Sequence, residues 1–288
     1  MTGEDGREHL AYGNEIWKSS LNENYNQKLR LSSYLVERNL QISYCWIHKV
    51  ASMSLQTIFM KLENNSKYLQ EDKPYLTMYR MSPRSSKDFA EISSGFHNFL
   101  VVRHPFHRLV SAYRDRVEGC KMKGEWFMKV ATKLGLSGDP TCYVDVDTGK
   151  IKLNKKANRL EISRKGVIVP TFNQFVEFLL DTPIDSFNPH WRPYYLHCSP
   201  CLGNWTTIVK LEETAEMNYL MEMTGLSRIF EQPILWRNKA NRNTTESVAM
   251  TYFKSLQCDQ VLGLVQLYSM DFVLFEYGAW QFVRRCKI

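Results

Sequence analysis

Apolar positions along the chain follow two rhythms: short unbroken runs, and stripes spaced three and four residues apart. Ser43 to His48 is a compact apolar and aromatic run, which predicts a buried strand. Leu55, Ile58, Phe59 and Leu62 then stand at i, i+3, i+4 and i+7, the core-facing stripe of a helix. Phe99 to Arg103 predicts a second buried strand. Pro105 follows, suited to a first helical turn because its missing N–H would have no partner there. Phe106, Leu109, Val110 and Tyr113 form the core face of that helix. Thr171-x-x-Gln174 has the capping-box pattern and opens a helix burying Phe172, Phe175, Val176 and Leu179. Thr206 to Leu211 predicts another strand, with a helix from Glu212 that stops near Gly225. Val261, Leu264, Val265 and Tyr268 mark one more helix. Residues 1–40 read as a polar lead-in with a short helix around Gln27 to Arg38, and 41–288 as one domain. Residues 120–170 read as a basic, irregular insertion into it. Strands alternating with helices predict an α/β fold, a parallel sheet flanked by helices, with ligands beyond the carboxyl ends of its strands.

Composition narrows the partners. With 288 residues, 44% of them hydrophobic, the chain can bury a sizeable core. A net charge of +7 points to an anionic partner. Much of the excess is local: between Lys150 and Lys165 seven basic residues face one acid, Glu161. That strip reads either as a solvated loop or as a docking strip for a polyanion. No helix-turn-helix, RRM or zinc pattern accompanies it, so no nucleic-acid partner is expected. Among seven cysteines the one close pair is Cys198-Ser-Pro-Cys201, without the second pair a zinc site wants, so no metal is expected. A direct bridge within that pair would be tight, so each cysteine is expected in a disulfide with a distant partner. Sequons at Asn64, Asn204 and Asn243 add a secretory signature. No apolar run reaches 18 residues, so an upstream membrane anchor is expected in a full-length form and absent from this sequence.

The chemistry gathers at two strand ends. Strand 43–48 runs into His48-Lys49-Val50-Ala51-Ser52-Met53-Ser54 and then a helix. The N–H groups of a first helical turn point into such a loop and its dipole favours an anion. Lys49 adds a full charge, Ser52 and Ser54 add hydroxyls, and small Ala51 permits close backbone approach. Neither GxxxxGK[ST] nor GxGxxG is present, which argues against an NTPase or a nicotinamide dehydrogenase. At the second strand end Arg103 is followed by Arg108 and Ser111 on one helix; a guanidinium fork and a hydroxyl suit a second phosphate. Two anion sites at adjacent strand ends suit a ligand with two separated phosphate groups.

The pair K-x-A-S-x-S and R-x-P-x-x-R-x-x-S-x-Y resembles the 5′-phosphosulfate and 3′-phosphate loops of sulfotransferases. His190-Trp191 through Cys198-Ser-Pro-Cys201 to Lys210-Leu-Glu212, and Tyr268-x-x-Asp271-Phe272-x-x-Phe275-x-Tyr277, are similar to segments of Golgi carbohydrate sulfotransferases of the chondroitin/dermatan and HNK-1 branch. Outside 120–170 the resemblance spans residues 40–280. It implies a P-loop-NTPase-like sulfotransferase fold, 3′-phosphoadenosine 5′-phosphosulfate as co-substrate, no metal, an acidic or neutral glycan acceptor, and a type II membrane protein of the Golgi lumen. It also implies donor contacts from Lys49 through Ser54 and from Arg103, Arg108 and Ser111. Three residues depart from the family pattern: His48 where proline is usual, Met53 in a common threonine position, and Leu55 where many members have tryptophan. They leave open a nucleotide- or glycan-binding module with weakened catalysis.

For sulfonate transfer Lys49 is the expected leaving-group stabiliser. A base must take the acceptor proton, and seven histidines compete. His190 in the His-Trp motif is the first candidate, set against a purely structural role; His97 and His104 come next. Trp191, Tyr194 and Tyr195 read as core or as stacking platforms for a sugar.

Overall fold

A computed structural model describes residues 30–63, 81–144, 151–153, 165–198, 200, 204–229 and 242–286; for 144, 151–153, 165 and 242–245 it describes the backbone alone. The strands are β1 (Tyr34–Glu37), β2 (Ile42–Cys45), β3 (His97–Val102), β4 (Cys142–Val144), β5 (Ile151–Leu153), β6 (Lys165–Val167) and β7 (Thr207–Lys210). The first five helices are α1 (Ser52–Leu62), α2 (Ser86–Gly95), α3 (Pro105–Ala112), α4 (Gly124–Lys133) and α5 (Phe172–Leu180). The rest are α6 (Thr214–Met223), α7 (Leu226–Ile229), α8 (Arg242–Phe253), α9 (Cys258–Leu267), α10 (Ser269–Leu274) and α11 (Trp280–Val283). The chain forms two compact units, one from 1–108, 188–245 and 268–278, the other from 109–187, 246–267 and 279–288.

The first unit holds a four-stranded sheet in the order β1-β2-β3-β7. β2, β3 and β7 run parallel, in the register Tyr44↔Phe99 and Phe99↔Thr207. Central β3 is buried on both faces, and Phe99, Leu100, Val101 and Val102 have no exposed surface. That is why it reads as an unbroken apolar run rather than an alternation. Because the three strands are parallel, their carboxyl ends lie along one edge. The chain leaves that edge at Trp46, at Arg103 and at Leu211.

β1 makes the sheet mixed, since it pairs antiparallel with β2. It also replaces the helix expected around Gln27 to Arg38: residues 31–33 form a 3-10 turn and 34–37 a strand. All four strand residues are buried. The Tyr34 hydroxyl donates to the Cys198 carbonyl at 2.8 Å, and the Glu37 carboxylate accepts the Leu40 N–H of the hairpin turn at 2.6 Å. Long-range packing and a side chain closing the turn outweigh the weak helical spacing.

In the second unit the insertion is more ordered than its composition suggests. It contains α4, which buries Phe127, Val130 and Ala131, and a small antiparallel sheet in the order β5-β4-β6. A Cys120–Cys142 disulfide joins the chain before α4 to β4, and Cys258–Cys286 joins the start of α9 to the C-terminal residues. The capping box at Thr171 and Gln174 is present in full. Gly263 lets α9 approach α5, since a Cβ there would lie 3.0 Å from a Leu180 methyl. The basic strip is described only at 151–153 and 165.

Candidate active site

The site is built within the first unit, at the carboxyl edge of its sheet. Between β2 and α1 the chain turns through two non-glycine residues in the left-handed region, Lys49 (φ 71) and Ala51 (φ 60). Such a conformation costs about 1–2 kcal/mol for each L-residue and persists where the surroundings over-determine it, commonly at functional sites. Ala51 is the N-cap of α1 and offers no side-chain acceptor. Its carbonyl accepts the N–H groups of Ser54 (3.0 Å) and Leu55 (3.2 Å). The N–H groups of Ser52 and Met53 belong to the first turn, where the helix supplies no acceptor. An uncapped helix start after a strained loop is a cradle for an anion.

The neighbouring strand brings Arg103, whose Nη1 donates to the Lys49 carbonyl at 3.3 Å. The Arg103 backbone is clasped by Tyr194: the hydroxyl accepts its N–H at 3.0 Å and donates to its carbonyl at 2.9 Å. Tyr194 is held in turn by fully buried Asp271, which accepts the Tyr194 N–H at 2.9 Å and the Tyr195 N–H at 3.3 Å. Burial pushes the Asp271 carboxyl up to about 7, against the pull of those N–H groups and of Arg108.

β7 leads to Glu212, two residues beyond the strand and before α6. Its carboxylate accepts the His104 N–H at 2.9 Å and the Tyr277 hydroxyl at 3.0 Å, and lies 3.5 Å from His107 Nδ1. Burial alone would raise this carboxyl; the bonds from His107, His104 and Tyr277 outweigh it and bring it down to about 2. Glu212 thus ties the end of β7 to the turn after Arg103.

The third wall is the segment Asn188–Cys198. The His190 ring stacks on the His48 ring with centroids 3.9 Å apart, which sets it against the residue preceding Lys49. Three links hold the two segments together: a Cys45–Cys198 disulfide, a 3.1 Å contact of His197 Nε2 with the Trp46 carbonyl, and Arg108. Arg108 is 1% exposed. It donates to the carbonyls of His48 (3.0 Å), Arg192 (2.8 Å) and Pro189 (3.2 Å), with its guanidinium over the Tyr194 ring.

The structure therefore brings together Lys49 to Ser54, Arg103, Arg108 and His190. Arg108, read from its motif as a donor contact, spends its donors on three main-chain carbonyls. Ser111 follows on α3 and belongs to the second unit. His104 is closed on itself: Nδ1 accepts the Phe106 N–H at 3.2 Å, Nε2 meets the Gly278 carbonyl at 2.9 Å, and burial lowers its pKa to about 4. His97 starts β3, at the strand end remote from Arg103, and meets the Thr207 hydroxyl. Trp191, Tyr194 and Tyr195 are core residues. Cys198 has a distant partner, as expected; Cys201 and Asn64 lie outside the described residues. Sequence reasoning missed Asn188, whose side-chain oxygen accepts the His190 N–H at 3.0 Å. The signal was the Asn-Pro-His triplet, a pattern that favours an Asx turn. Glu212 and Asp271 stand within the sequence motifs, and their bonds to His104, Tyr277, Tyr194 and Tyr195 make both of them hubs. Among the described residues no group of three acidic, histidine or cysteine side chains could hold a metal ion.

A model of the sulfotransferase family matches residues 32–278. Carbohydrate sulfotransferase 11 of Mus musculus is 25% identical over 265 residues, covering 88% of this chain and 69% of its own. Carbohydrate sulfotransferase 12 of Xenopus laevis is 26% identical, covering 86% and 60%. Carbohydrate sulfotransferase 9 of Homo sapiens is 26% identical, covering 86% and 53%. No solved structure matches the chain.

Proposed function

The chain belongs to the sulfotransferase family, and from that premise we propose a carbohydrate O-sulfotransferase that moves a sulfonate group from 3′-phosphoadenosine 5′-phosphosulfate to a glycan hydroxyl of the chondroitin/dermatan or a related class. The observation that carries this reading is the strained, uncapped loop at Lys49–Ser52 with Arg103 bonded to its backbone. The bound donor supplies an activated sulfonate, whose sulfur–oxygen bond to the nucleotide phosphate breaks as the bond to the acceptor oxygen forms. This chain's residues do the rest. The N–H groups of Ser52 and Met53, with the hydroxyls of Ser52 and Ser54, hold the 5′ phosphate. Lys49 stabilises the charge that grows on the leaving oxygen. Arg103 anchors the 3′ phosphate, with Ser111 assigned to the same group on its motif alone. Arg108 shapes the site by fixing the His48, Pro189 and Arg192 carbonyls. His190 takes the acceptor proton.

The chain is read as a lumenal Golgi domain of a type II membrane protein. Disulfides in both units and an exposed Asn204 in its sequon support that reading. The function is tested with radiolabelled donor and a panel of desulfated glycans, comparing wild type with Lys49→Ala. Turnover should fall by at least about 100-fold, because the charge matters most in the transition state. Nucleotide-product binding should survive in part. Wild-type turnover in the variant would remove Lys49 from the chemistry, and no transfer to any glycan would overturn the substrate class.

A further inference from the structure

The histidine assigned as base needs one specific ring nitrogen free of a proton, and a neighbour decides which. Asn188 Oδ1 lies 3.0 Å from the His190 N–H and 2.6 Å from His190 Nδ1. A backbone N–H can only donate, so the amide atom facing it is the oxygen rather than the NH2. That oxygen also faces Nδ1, and an oxygen acceptor there requires Nδ1 to carry a hydrogen. A neutral imidazole with its proton on Nδ1 has its lone pair on Nε2. The ring plane is fixed from the other side by the His48 stack at 3.9 Å and an interplanar angle of 19°. The backbone is fixed by Arg108 at the carbonyls of Pro189 and Arg192.

We propose that Asn188 is a positioning residue that holds His190 in the Nδ1–H tautomer, making Nε2 the atom that removes the proton from the acceptor hydroxyl. This rests on the reading of His190 as base. In the step, the acceptor O–H bond breaks with its proton passing to Nε2. The oxygen's electron pair forms the new bond to sulfur, and the old sulfur–oxygen pair leaves with the nucleotide. The resulting imidazolium keeps its Nδ1–H bonded to Asn188, and that bond strengthens as the ring gains charge. Among the described residues His48 stacks on the ring, His197 neighbours His48 with ring centroids 6.5 Å apart, and the Arg108 guanidinium bonds the carbonyls of His48, Pro189 and Arg192.

The test uses the whole chain with Asn188→Ala, Asn188→Asp and His190→Gln, reading kcat against pH, donor KM, and binding of 3′-phosphoadenosine 5′-phosphate. Asn188→Ala should lower kcat by about 10–100-fold, with donor KM and nucleotide binding within about twofold of wild type. Asn188→Asp should recover much of kcat and move the acid limb of its pH profile up by about one unit, because a carboxylate across Nδ1–H favours the imidazolium. A role in folding alone would not move that limb. Nitrogen-15 NMR of labelled histidines, with His190 identified by its loss in His190→Gln, reads the tautomer without any turnover. A pyrrole-type Nδ1 in wild type and a mixture in Asn188→Ala are expected. Wild-type kcat and pH profile in both Asn188 variants, or an Nε2–H tautomer in wild type, would overturn the assignment while leaving His190 as base if His190→Gln is inactive. Wild-type turnover in His190→Gln would remove the base itself, and this proposal with it.

Discussion

Arg108 separates the two roles that its motif and its surroundings suggest. A residue 1% exposed that donates to three carbonyls is a staple between the loop after β2 and the His190 segment. Replacing it with methionine, of comparable length and no charge, leaves the carbonyls of His48, Pro189 and Arg192 without that donor. Each buried acceptor so orphaned costs about 1–3 kcal/mol. Part of this is returned because the variant no longer buries a charge, so the net loss should be about 3–5 kcal/mol. Lysine should rescue little, since one ammonium cannot span three carbonyls as a planar fork does. Urea unfolding at neutral pH measures the loss directly. In a thermal melt it should appear as a fall of roughly 10 °C, at about 2–4 °C per kcal/mol for a domain of this size. If Arg108 were instead a ligand for the donor, the variant would melt like wild type and bind 3′-phosphoadenosine 5′-phosphate at least about tenfold more weakly. That combination would refute the staple.

Three further outcomes follow from the same geometry. Arg103→Ala should weaken 3′-phosphoadenosine 5′-phosphate by about 10–100-fold and Ser111→Ala by less than about tenfold, as bonds to a charged guanidinium outweigh those of a hydroxyl; unchanged titration calorimetry for both would place the 3′ site elsewhere. Burial holds His104 at about 4 and His197 at about 3, so the unfolded chain binds more protons than the native one up to the ordinary histidine value near 6.5. Asp271 at about 7 acts oppositely, because the native state keeps a proton that the unfolded state has lost above about 4. Two rising contributions against one falling one should increase stability from pH 4.5 to 6.5 by roughly 2–3 kcal/mol, and Asp271→Asn should steepen the rise. Urea midpoints that are flat or falling over that range would contradict it. Non-reducing peptide mapping of the protein purified from its native source should recover Cys45 linked to Cys198 and glycan on Asn204; free thiols with an unmodified Asn204 would exclude a lumenal home.

The local grammar of this chain is short-range and is written in neighbouring residues. The stripe Leu55, Ile58, Phe59, Leu62 became α1, the apolar run at Phe99 became the central strand, and the Thr171 capping box closed as written. The loop after β2 was legible too, because strand, lysine, small residues and helix start are contiguous. What lay beyond reach were the relations between segments far apart in sequence. Tyr34–Glu37 is a strand because residues such as Cys198 and Phe89 cover it, and no local pattern announces them. Arg108 in its motif looks like any phosphate-binding arginine; only the folded chain shows three carbonyls surrounding it. Glu212, Tyr194 and Asp271 acquire their roles from partners at residues 104, 277, 103 and 194. A side chain's propensity is written in its immediate neighbours, whereas its hydrogen-bond partners are chosen when parallel strands bring distant carboxyl ends to one edge of a sheet.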